Sequence, residues 1–379
     1  MAKLLHPLVV PAAHPERIIP DLERAIAGEA AFLPVPERDH ARADVLRQSQ
    51  RAGQPIDDRV ALVMATSGST GTPKGAELTP ANLVSSADAT HRRLGGEGQW
   101  LLALPAHHIA GLQVLIRSMI AGVEPVAVDV SGGFDVQTFA AASYELARTE
   151  ERAYTSLVPM QLYKAMETLA GIEALRVFDA ILVGGAALRP ETRGQCEELG
   201  IRIVTTYGSS ETAGGCVYDG VPLPGARVRL EGSRVWLGGP MIARGYRNAP
   251  GHEAFSRPGW FGTSDCGQVA DGKLEIIGRL DAVIDSGGLK LHPEVLEQAL
   301  MEQPGVTEAC VVGVPDERLG QAIAAAYTGP ASPTDVLSGL EDLPRWQLPR
   351  RIRQVAELPK SGSGMDKVDR RAVIRLLSS

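Results

Sequence analysis

The sequence predicts an α/β protein with a large N-terminal domain of mainly parallel sheets, a small antiparallel β region and a small C-terminal α+β domain. Short apolar runs alternate with helical stretches from residue 60 to about residue 206. Beyond Gly225 the pattern changes to near alternation, and the C-terminal part mixes both patterns. Because a chain of 379 residues exceeds a comfortable single core, we expect two domains, residues 1–280 and 281–379.

Composition excludes several classes of protein. Hydrophobic residues make up 44% and charged residues 22%, as in an ordinary globular protein. A net charge of -7 gives no electrostatic reason to bind nucleic acid or an anionic membrane. The four cysteines lack CxxC or metal-ligand spacing, and no apolar stretch is long enough to span a bilayer. We therefore expect a cytoplasmic protein with no nucleic-acid partner and no membrane insertion.

The apolar runs give the strands of the main sheets. Strands are predicted at residues 60–65, 100–104, 123–130, 154–158, 180–183 and 201–205. Ligands bind at the carboxyl ends of such strands. We therefore expect the loop after the first strand and the segment 206–212 to converge on one crevice.

The segment 66–75, Thr-Ser-Gly-Ser-Thr-Gly-Thr-Pro-Lys-Gly, is the most informative part of the sequence. Glycines let backbone N–H groups approach an anion, hydroxyls donate further hydrogen bonds, and Lys74 adds a positive charge. The spacing is not that of a Walker P-loop. A helix is predicted from Thr79-Pro80 to about His91, so that strand, loop and helix follow in the order of a nucleotide site. A flexible Ser/Gly/Thr linker is the alternative. The predicted phosphate-binding residues are Thr66, Ser67, Gly68, Ser69, Thr70, Gly71 and Lys74.

The remaining elements belong to hairpins and to the C-terminal unit. Near alternation predicts a hairpin at residues 227–237 and a second one around a turn at Asp271-Gly272. Later come a helix at 292–303, strands near 310–314 and 322–327, and a helix near 333–340. The join at residues 278–281 carries no long linker, so any domain motion would pivot on very few residues.

Four segments together resemble the ordered core motifs of the adenylate-forming superfamily of acyl-CoA synthetases, luciferases and peptide-synthetase adenylation domains. They are residues 66–75, 207–212, 263–265 and 278–290. The resemblance implies ATP-dependent activation of a carboxylic acid, with Mg²⁺ as cofactor and CoA as co-substrate, and a mobile C-terminal domain. It also implies an N-terminal domain without its first subdomain, since only about sixty residues precede the phosphate loop. Because the acid carboxylate must attack the α-phosphate of ATP, such a site has to concentrate positive charge.

The resemblance assigns the following roles. Glu211 holds Mg²⁺ together with Thr70, with a Glu that stabilises a helix N-terminus as the alternative. Asp265 accepts hydrogen bonds from ribose, or else forms a turn, and Arg279 contacts ribose or phosphate. Asp281 is the hinge, while Gly287-Gly288 either line the passage for pantetheine or form an ordinary turn. The other implied nucleotide contacts are Gly184, Gly185 and Ala186 along adenine, and Thr206, Tyr207, Gly208 and Ser210.

The C-terminal catalytic lysine requires a choice of register. The superfamily pattern is roughly P-K-[ST]-x-S-G-K-x-x-R, and here residues 359–371 read Pro-Lys-Ser-Gly-Ser-Gly-Met-Asp-Lys-Val-Asp-Arg-Arg. Without a gap, Met365 occupies the lysine position. With two residues inserted, Lys367 and Arg370 fall into register. We favour the insertion, because the match resumes after it and a surface loop tolerates extra residues.

The segment 105–113 and the run 207–220 are similar to those of superfamily members that activate o-succinylbenzoate, an acid of menaquinone biosynthesis. His108 matches a histidine that shapes the carboxylate pocket, with a packed core histidine as the alternative. The second carboxylate of that substrate needs a cationic or multi-donor anchor. Arg117 is the candidate anchor, with a surface arginine as the alternative, and Ser209 adds a contact. Another aryl- or acyl-CoA synthetase, an adenylation protein serving a carrier protein and a non-catalytic nucleotide-binding relative remain open. The resemblance also suggests a homodimer.

Overall fold

The computed structural model describes residues 2–66, 72–149, 151–360 and 368–378. Its first sheet has the strand order β1-β2-β3-β4, in which β1, β2 and β3 are parallel and β4 is antiparallel to β3. Buried Leu33 and Val63 of the sheet pack with Leu46 of a flanking helix. The elements are β1 (Leu5–Val10), α1 (Ile19–Ile26), β2 (Ala31–Pro36), α2 (His40–Ser49), β3 (Leu62–Ala65) and β4 (Gly75–Leu78).

The second sheet contains seven strands in the order β11-β10-β9-β8-β7-β5-β6. The strands β5 to β9 are parallel to one another. Strand β10 is antiparallel to both of its neighbours, β9 and β11. The strands are β5 (Gln99–Leu102), β6 (Val126–Ala127), β7 (Ala153–Leu157), β8 (Ala180–Val183), β9 (Ile203–Ser209), β10 (Gly214–Tyr218) and β11 (Val221–Pro222). The helices are α3 (Pro80–Leu94), α4 (Ile109–Ala121), α5 (Val136–Ala147), α6 (Pro159–Met166), α7 (Leu169–Arg176) and α8 (Pro190–Glu198). The predicted mainly parallel α/β class is confirmed.

Two details of the predicted sheet were wrong. The strand expected at 60–65 lies in the first sheet beside β2, because apolar periodicity marks a strand without specifying its partner. The run 123–130 gives only the two-residue edge strand β6, since Pro125 lacks the N–H that a longer ladder needs.

Helix α3 begins where its sequence predicts. The Thr79 side chain accepts a hydrogen bond from the Asn82 backbone N–H, and the Asn82 side chain accepts one from the Thr79 N–H. Pro80 occupies the first helical position. The helix continues past the predicted end at His91 to Leu94, where Gly95 adopts φ +92°.

A third sheet contains the two predicted hairpins, in the order β12-β13-β14-β15. The second hairpin turns at Asp271 and Gly272, whose φ values of +50° and +74° are typical of a two-residue hairpin turn. The strands are β12 (Arg227–Glu231), β13 (Arg234–Gly238), β14 (Trp260–Ala270) and β15 (Lys273–Arg279).

A fourth sheet has the order β17-β16-β19-β18, with β20 parallel to β19. Arg351 and Arg353 of β20 donate hydrogen bonds to the carbonyls of Leu377 and Leu376, which stabilises the C-terminal end of the last helix. The strands are β16 (Ile284–Ser286), β17 (Leu289–Leu291), β18 (Glu308–Asp316), β19 (Gly320–Thr328) and β20 (Arg351–Gln354). The helices are α9 (Pro293–Met301), α10 (Pro333–Ser338) and α11 (Arg370–Ser378). The predicted α+β character is confirmed, although the sequence did not reveal β16, β17, β20 or α11.

The chain forms two compact units. One contains residues 1–229, 236–262 and 271–274, and the other contains residues 230–235, 263–270 and 275–379. The expected domain boundary between residues 280 and 281 stays a prediction. Within the described ranges, no helix combines the length and apolar character needed to cross a membrane.

Candidate active site

The two ends of the predicted phosphate loop meet in a hairpin. The Thr66 N–H donates to the Lys74 carbonyl over 2.8 Å, and the Lys74 N–H donates to Thr66 Oγ1 over 3.3 Å. Residues Ser67 to Gly71, which include Thr70, lie outside the described residues. The expected order of strand, loop and helix was incomplete, because β4 pairs with β3 before α3 begins. Gly, Ala and Glu have low strand propensity, so only the pairing reveals this strand.

A segment without regular secondary structure, residues 243–252, fixes the C-terminal end of this loop. The Asn248 side chain accepts a hydrogen bond from the Gly75 N–H over 3.1 Å and donates one to the Pro73 carbonyl over 2.9 Å. Gln50 also donates to the Pro73 carbonyl, and the Arg247 N–H donates to the Gly75 carbonyl, both within 2.8 Å. We call residues 243–252 the strap. The strap fixes this end of the loop because Asn248 and Arg247 bind the carbonyls of Pro73 and Gly75, although they lie more than 170 positions away in sequence.

The segment after β9 also reaches the phosphate loop. Tyr207 and Ser209, expected after the end of the strand at 201–205, belong to β9, which continues to Ser209 because β10 pairs with it. A short 3-10 helix follows from Ser210 to Thr212. The Ser210 hydroxyl donates to the Ala65 carbonyl over 3.4 Å, beside Thr66. The predicted convergence of the two segments is therefore present.

Glu211 has a rigid backbone. Its carbonyl accepts a hydrogen bond from the Ala243 N–H of the strap over 2.8 Å. Ala213 adopts φ +50°, which is costly for a residue with a Cβ atom. The Ala213 carbonyl accepts hydrogen bonds from Ser86 over 3.0 Å and from Gln113 over 2.8 Å. These contacts hold the unusual backbone conformation that follows Glu211.

Glu211 is 7% exposed, and its carboxylate Oε1 accepts a hydrogen bond of 2.6 Å from the Tyr246 hydroxyl. Burial, and then the charge of Glu211, raise the pKa of Tyr246 well above its usual value, so the phenol stays a donor. Oε2 is left for other ligands. No group of three or more His, Cys, Asp or Glu side chains forms a metal cluster in the described part of the chain. One carboxylate together with phosphate oxygens is a set of ligands that suits Mg²⁺.

The segment expected along adenine lies beside β9. Val183 at the end of β8 pairs with Thr205, so Gly184 lies next to Thr206. A Cβ atom on Gly184 would lie 2.3 Å from Thr206 Oγ1, which only glycine avoids. Gly185 and Ala186 are exposed. A Cβ atom on Gly208 would lie 2.2 Å from the Gly214 carbonyl oxygen, so this position also requires glycine. The exposed pair Gly185 and Ala186 thus follows directly on β8 and the partly buried Gly184.

Of the residues expected in the acid pocket, His108 and Arg117 belong to the start and the body of α4, and Ser209 ends β9. His108 immediately precedes this helix, and its ring centroid is 4.3 Å from that of His107. Gln113 and Arg117 follow at helical spacing toward β10. Ser209 Oγ is buried and has no hydrogen-bond partner among the residues that the structure describes. Arg117 lies against Trp100 of β5 and Tyr218 of β10.

Arg117 is buried at 3% exposure, so the surface alternative was wrong. Its guanidinium lies 5.0 Å from the centre of the Trp100 ring, and Nη2 lies 3.5 Å from the Tyr218 hydroxyl oxygen. In the described ranges no carboxylate pairs with it, and Nε has no hydrogen-bond partner. Burial lowers the pKa of Arg117 from its usual value. Arg117 is therefore a buried cation with no anionic partner among the described residues, an arrangement that costs free energy.

His107 supplies a pH prediction. Burial, and then the positive charge of Arg42, lower the pKa of His107 to about 4. The unfolded chain binds a proton near pH 6.5, where the folded protein does not. Stability is therefore expected to fall as the pH drops from 6.5 to 4, by at most about 1.4 kcal/mol per pH unit. Urea unfolding at pH 7, 6 and 5 should show a smaller pH dependence for His107→Gln than for the wild type. The exposed His14→Gln is the control, and an unchanged pH dependence in His107→Gln would contradict this prediction.

In the second unit, the predicted ribose and hinge residues contact one another. Arg279 forms two hydrogen bonds of 2.7 Å to Asp281 and lies 3.8 Å from Asp265. Asp265 lies within β14, so its turn-forming alternative was wrong. Gly287 and Gly288, at φ +64° and +85°, form the tight turn between β16 and β17. The turn alternative is therefore correct in this structure, and a role toward pantetheine stays a prediction.

Lys367 and Met365 lie outside the described residues. On either side of that segment, Lys360 pairs with Val368 in an antiparallel bridge, and the Asp369 N–H donates to the Pro359 carbonyl over 2.7 Å. Arg370, which the inserted register places on the superfamily arginine, forms a bidentate ion pair of 2.7 and 3.0 Å with Glu297. Its Nη1 also donates to the Val311 carbonyl over 2.7 Å.

This ion pair is expected to stabilise the second unit. Arg370→Met leaves the Glu297 charge, 9% exposed, without its partner. Because the arginine itself is partly exposed, the expected loss is about 2 kcal/mol in the free energy of unfolding, measured by urea denaturation. The double variant Arg370→Met/Glu297→Gln removes both charges and keeps an acceptor for the Val311 N–H, so it should recover part of the loss. A single variant as stable as the wild type would refute this.

The chain belongs to the AMP-binding enzyme family. The model of that family matches residues 12–247, and the model of the AMP-binding enzyme C-terminal domain matches residues 295–365. The resemblance to the adenylate-forming superfamily is thereby confirmed.

Among its relatives, the chain is similar to the probable 2-succinylbenzoate–CoA ligase of Mycobacterium tuberculosis, with 45% identity over 369 residues and 94% of each chain. It is 31% identical to the 2-succinylbenzoate–CoA ligase of Escherichia coli, over 83% of this chain and 68% of that one. A solved structure of o-succinylbenzoate CoA synthetase from Bacillus subtilis, in complex with its acyl-adenylate intermediate, has a TM-score of 0.77 and 25% identity. That likeness covers 97% of this chain and 82% of the other.

Sequence reasoning did not single out Gln50, Gln113, Tyr246, Asn248 or His252. Gln113 belongs to the segment 105–113, and its helical spacing from Arg117 could have marked it as a candidate. The strap residues carry no local pattern, because the side-chain hydrogen bonds of Tyr246, Asn248 and His252 to the site join residues more than 30 positions apart.

Proposed function

We propose that this chain is an ATP-dependent o-succinylbenzoate–CoA ligase of menaquinone biosynthesis. In the first step the acid carboxylate attacks the α-phosphate of ATP, giving the acyl-adenylate and pyrophosphate. In the second step the CoA thiolate attacks the acyl carbon, giving the thioester and AMP. The observation that carries the proposal is the 45% identity to the probable 2-succinylbenzoate–CoA ligase over 94% of both chains.

In the first step, Lys74 and the loop at 66–71 bind the polyphosphate, and Lys367 stabilises charge at the reacting phosphate. Glu211 Oε2 holds the Mg²⁺ ion, which neutralises phosphate charge when bound. The buried position of Glu211 and its fixed backbone support this assignment, since a preorganised carboxylate needs little reorganisation on binding. Thr70 completes the proposed metal contacts. The surface at Gly184–Ala186, with residues 206–208, receives adenine.

Arg117 binds the second carboxylate of the substrate, while His108 and Ser209 line the pocket for the reacting end. The support is electrostatic. Desolvating a guanidinium is costly, and Trp100 and Tyr218 offset this cost only in part, because neither carries an opposite charge. A dianionic acid supplies the missing anion, which accounts for the buried arginine at this position.

The second step uses the second unit. We propose Asp281 as the hinge, Asp265 and Arg279 as contacts to ribose and phosphate, and Gly287-Gly288 as part of the path for pantetheine. The Arg279–Asp281 pair supports the hinge, since a change of backbone at Asp281 must break or move two hydrogen bonds of 2.7 Å.

The test is a thioester assay with o-succinylbenzoate, ATP, Mg²⁺ and CoA. We expect o-succinylbenzoyl-CoA and AMP to form. Higher turnover on another acid of a carboxylic acid panel would favour a different acyl-CoA synthetase. Activity on a carrier protein but not on free CoA would favour the adenylation-protein alternative. Absence of acid-dependent exchange of pyrophosphate into ATP would favour a non-catalytic protein.

As part of the same proposal, the enzyme works as a homodimer in the cytoplasm, where ATP and CoA are available. Sedimentation of the purified protein tests the dimer, and a monomer at assay concentration would refute it.

A further inference from the structure

Tyr246 contacts both charged groups on which the proposed nucleotide site depends. Its side chain is 6% exposed, and its hydroxyl donates to Glu211 Oε1 over 2.6 Å. The Lys74 ammonium lies 5.1 Å from the centre of the Tyr246 ring. One side chain of the strap therefore touches an anion through its hydroxyl and a cation through its ring face.

The hydroxyl limits how Glu211 can act. A carboxylate has two oxygens, and Tyr246 engages one of them with a short, charge-assisted hydrogen bond. Without that bond the buried carboxylate would lose a donor and could rotate. With it, Oε2 stays oriented for a further ligand. Burial makes the contact persistent, since water does not compete well at a side chain that is 6% exposed.

The ring has a fixed position of its own. It packs edge-on against Phe255 and His252, with centroids 5.0 and 5.1 Å away, and the Tyr246 backbone bridges Ala76 of β4. His252 Nε2 lies 2.9 Å from Lys74 Nζ, so the ammonium contacts the ring face on one side and the imidazole on another. Motion of Lys74 is restricted by both contacts.

We propose that Tyr246 is a positioning residue that holds the Glu211 carboxylate and the Lys74 ammonium in a fixed arrangement for a metal-bound polyphosphate. The inference rests on the proposed function, because it takes the ligand to be a nucleoside triphosphate with a divalent cation. The hydroxyl acts only through the metal ligand Glu211, whereas the ring acts on the phosphate-binding lysine.

Two variants of Tyr246, each measured with Mn²⁺ and with EDTA, separate the role of the hydroxyl from that of the ring. Tyr246→Phe keeps the ring and removes the hydroxyl. We expect its affinity for Mn²⁺–ATP to fall about 10-fold, while its affinity for ATP in the presence of EDTA is unchanged. Tyr246→Leu removes both contacts and should weaken ATP binding under both conditions. Titration calorimetry without acid or CoA measures all four values.

Tyr154→Phe is the matched control. This variant also removes the hydroxyl of a buried tyrosine in the same unit. In the wild type, however, the Tyr154 hydroxyl donates to the carbonyls of Leu94 and Gly96 and not to a carboxylate. Both Tyr→Phe variants should lose comparable stability in urea, and only Tyr246→Phe should lose metal-dependent affinity. An equal loss in the two variants, or the same loss for Tyr246→Phe with EDTA, would overturn the proposal.

A double-mutant cycle tests the route through Glu211. In a Glu211→Gln background, Tyr246→Phe is expected to cause less than a 2-fold further change in Mn²⁺–ATP affinity. Fully additive effects would refute the positioning role. These binding measurements contain neither acid nor CoA. Their result therefore does not depend on whether the protein activates o-succinylbenzoate.

Discussion

Lys367→Ala is expected to reduce the rate of acyl-adenylate formation about 10²- to 10³-fold and to leave thioester formation from a supplied acyl-adenylate near the wild-type rate. The first step joins two anions, so it depends on a cation that approaches the reacting phosphate. The second step consumes an adenylate that is already formed. Single-turnover assays of pyrophosphate release and of thioester formation separate the two rates.

Two control variants define the register. Met365→Ala tests the ungapped alignment, and Lys360→Ala removes a nearby lysine whose ammonium lies 3.5 Å from the Glu308 carboxylate. Both are expected to retain adenylation within about 3-fold of the wild type. Equal retention of both half-reactions in Lys367→Ala would exclude Lys367, and a loss confined to Met365→Ala would establish the ungapped register.

Arg117→Met is expected to lower kcat/KM for o-succinylbenzoate about 10²-fold, because the second carboxylate of the substrate loses its cationic partner in a buried pocket. Binding of ATP alone should be unchanged. The ratio of kcat/KM for o-succinylbenzoate to that for an aromatic acid with a single carboxylate should fall by a similar factor. Steady-state kinetics on the two acids and titration with ATP measure these effects.

The stability of the same variant separates binding from packing. Methionine fills part of the space beside Trp100 and removes a buried charge that no carboxylate of the described residues balances. We therefore expect the free energy of unfolding to change by less than about 1 kcal/mol or to increase. Arg117→Lys keeps the charge without the planar fork and should recover only part of the activity. Marked destabilisation of Arg117→Met, with equal losses on both acids, would show that the arginine serves packing alone.

Much of the fold follows from local pattern. The parallel strands, the start of α3 at Thr79 and the turn at Asp271-Gly272 were predicted because periodicity, capping and turn chemistry act over a few residues. Strand β4 and the small elements β16, β17 and β20 were missed. These elements are short, and their hydrogen-bond partners in the sheet stabilise them more than their own sequence does.

The site divides in the same way. Candidate residues such as Lys74, Glu211 and Asp265 could be named from the sequence, because anion and metal binding require particular side chains at particular spacings. Their roles stay predictions. The burial of Arg117 could not be read there, since helical spacing places a residue on a face without saying what covers that face.

The amino-acid sequence by itself determined the class of protein and the order of the motifs. Only the tertiary structure showed that the strap brings His252 to Lys74, which lies 178 positions earlier in the chain. It also showed that Tyr246 contacts both this lysine and Glu211. The physical reason is that such contacts depend on how distant segments pack. Hydrogen bonds between remote side chains form only after the backbone has closed long loops, so no local pattern records them.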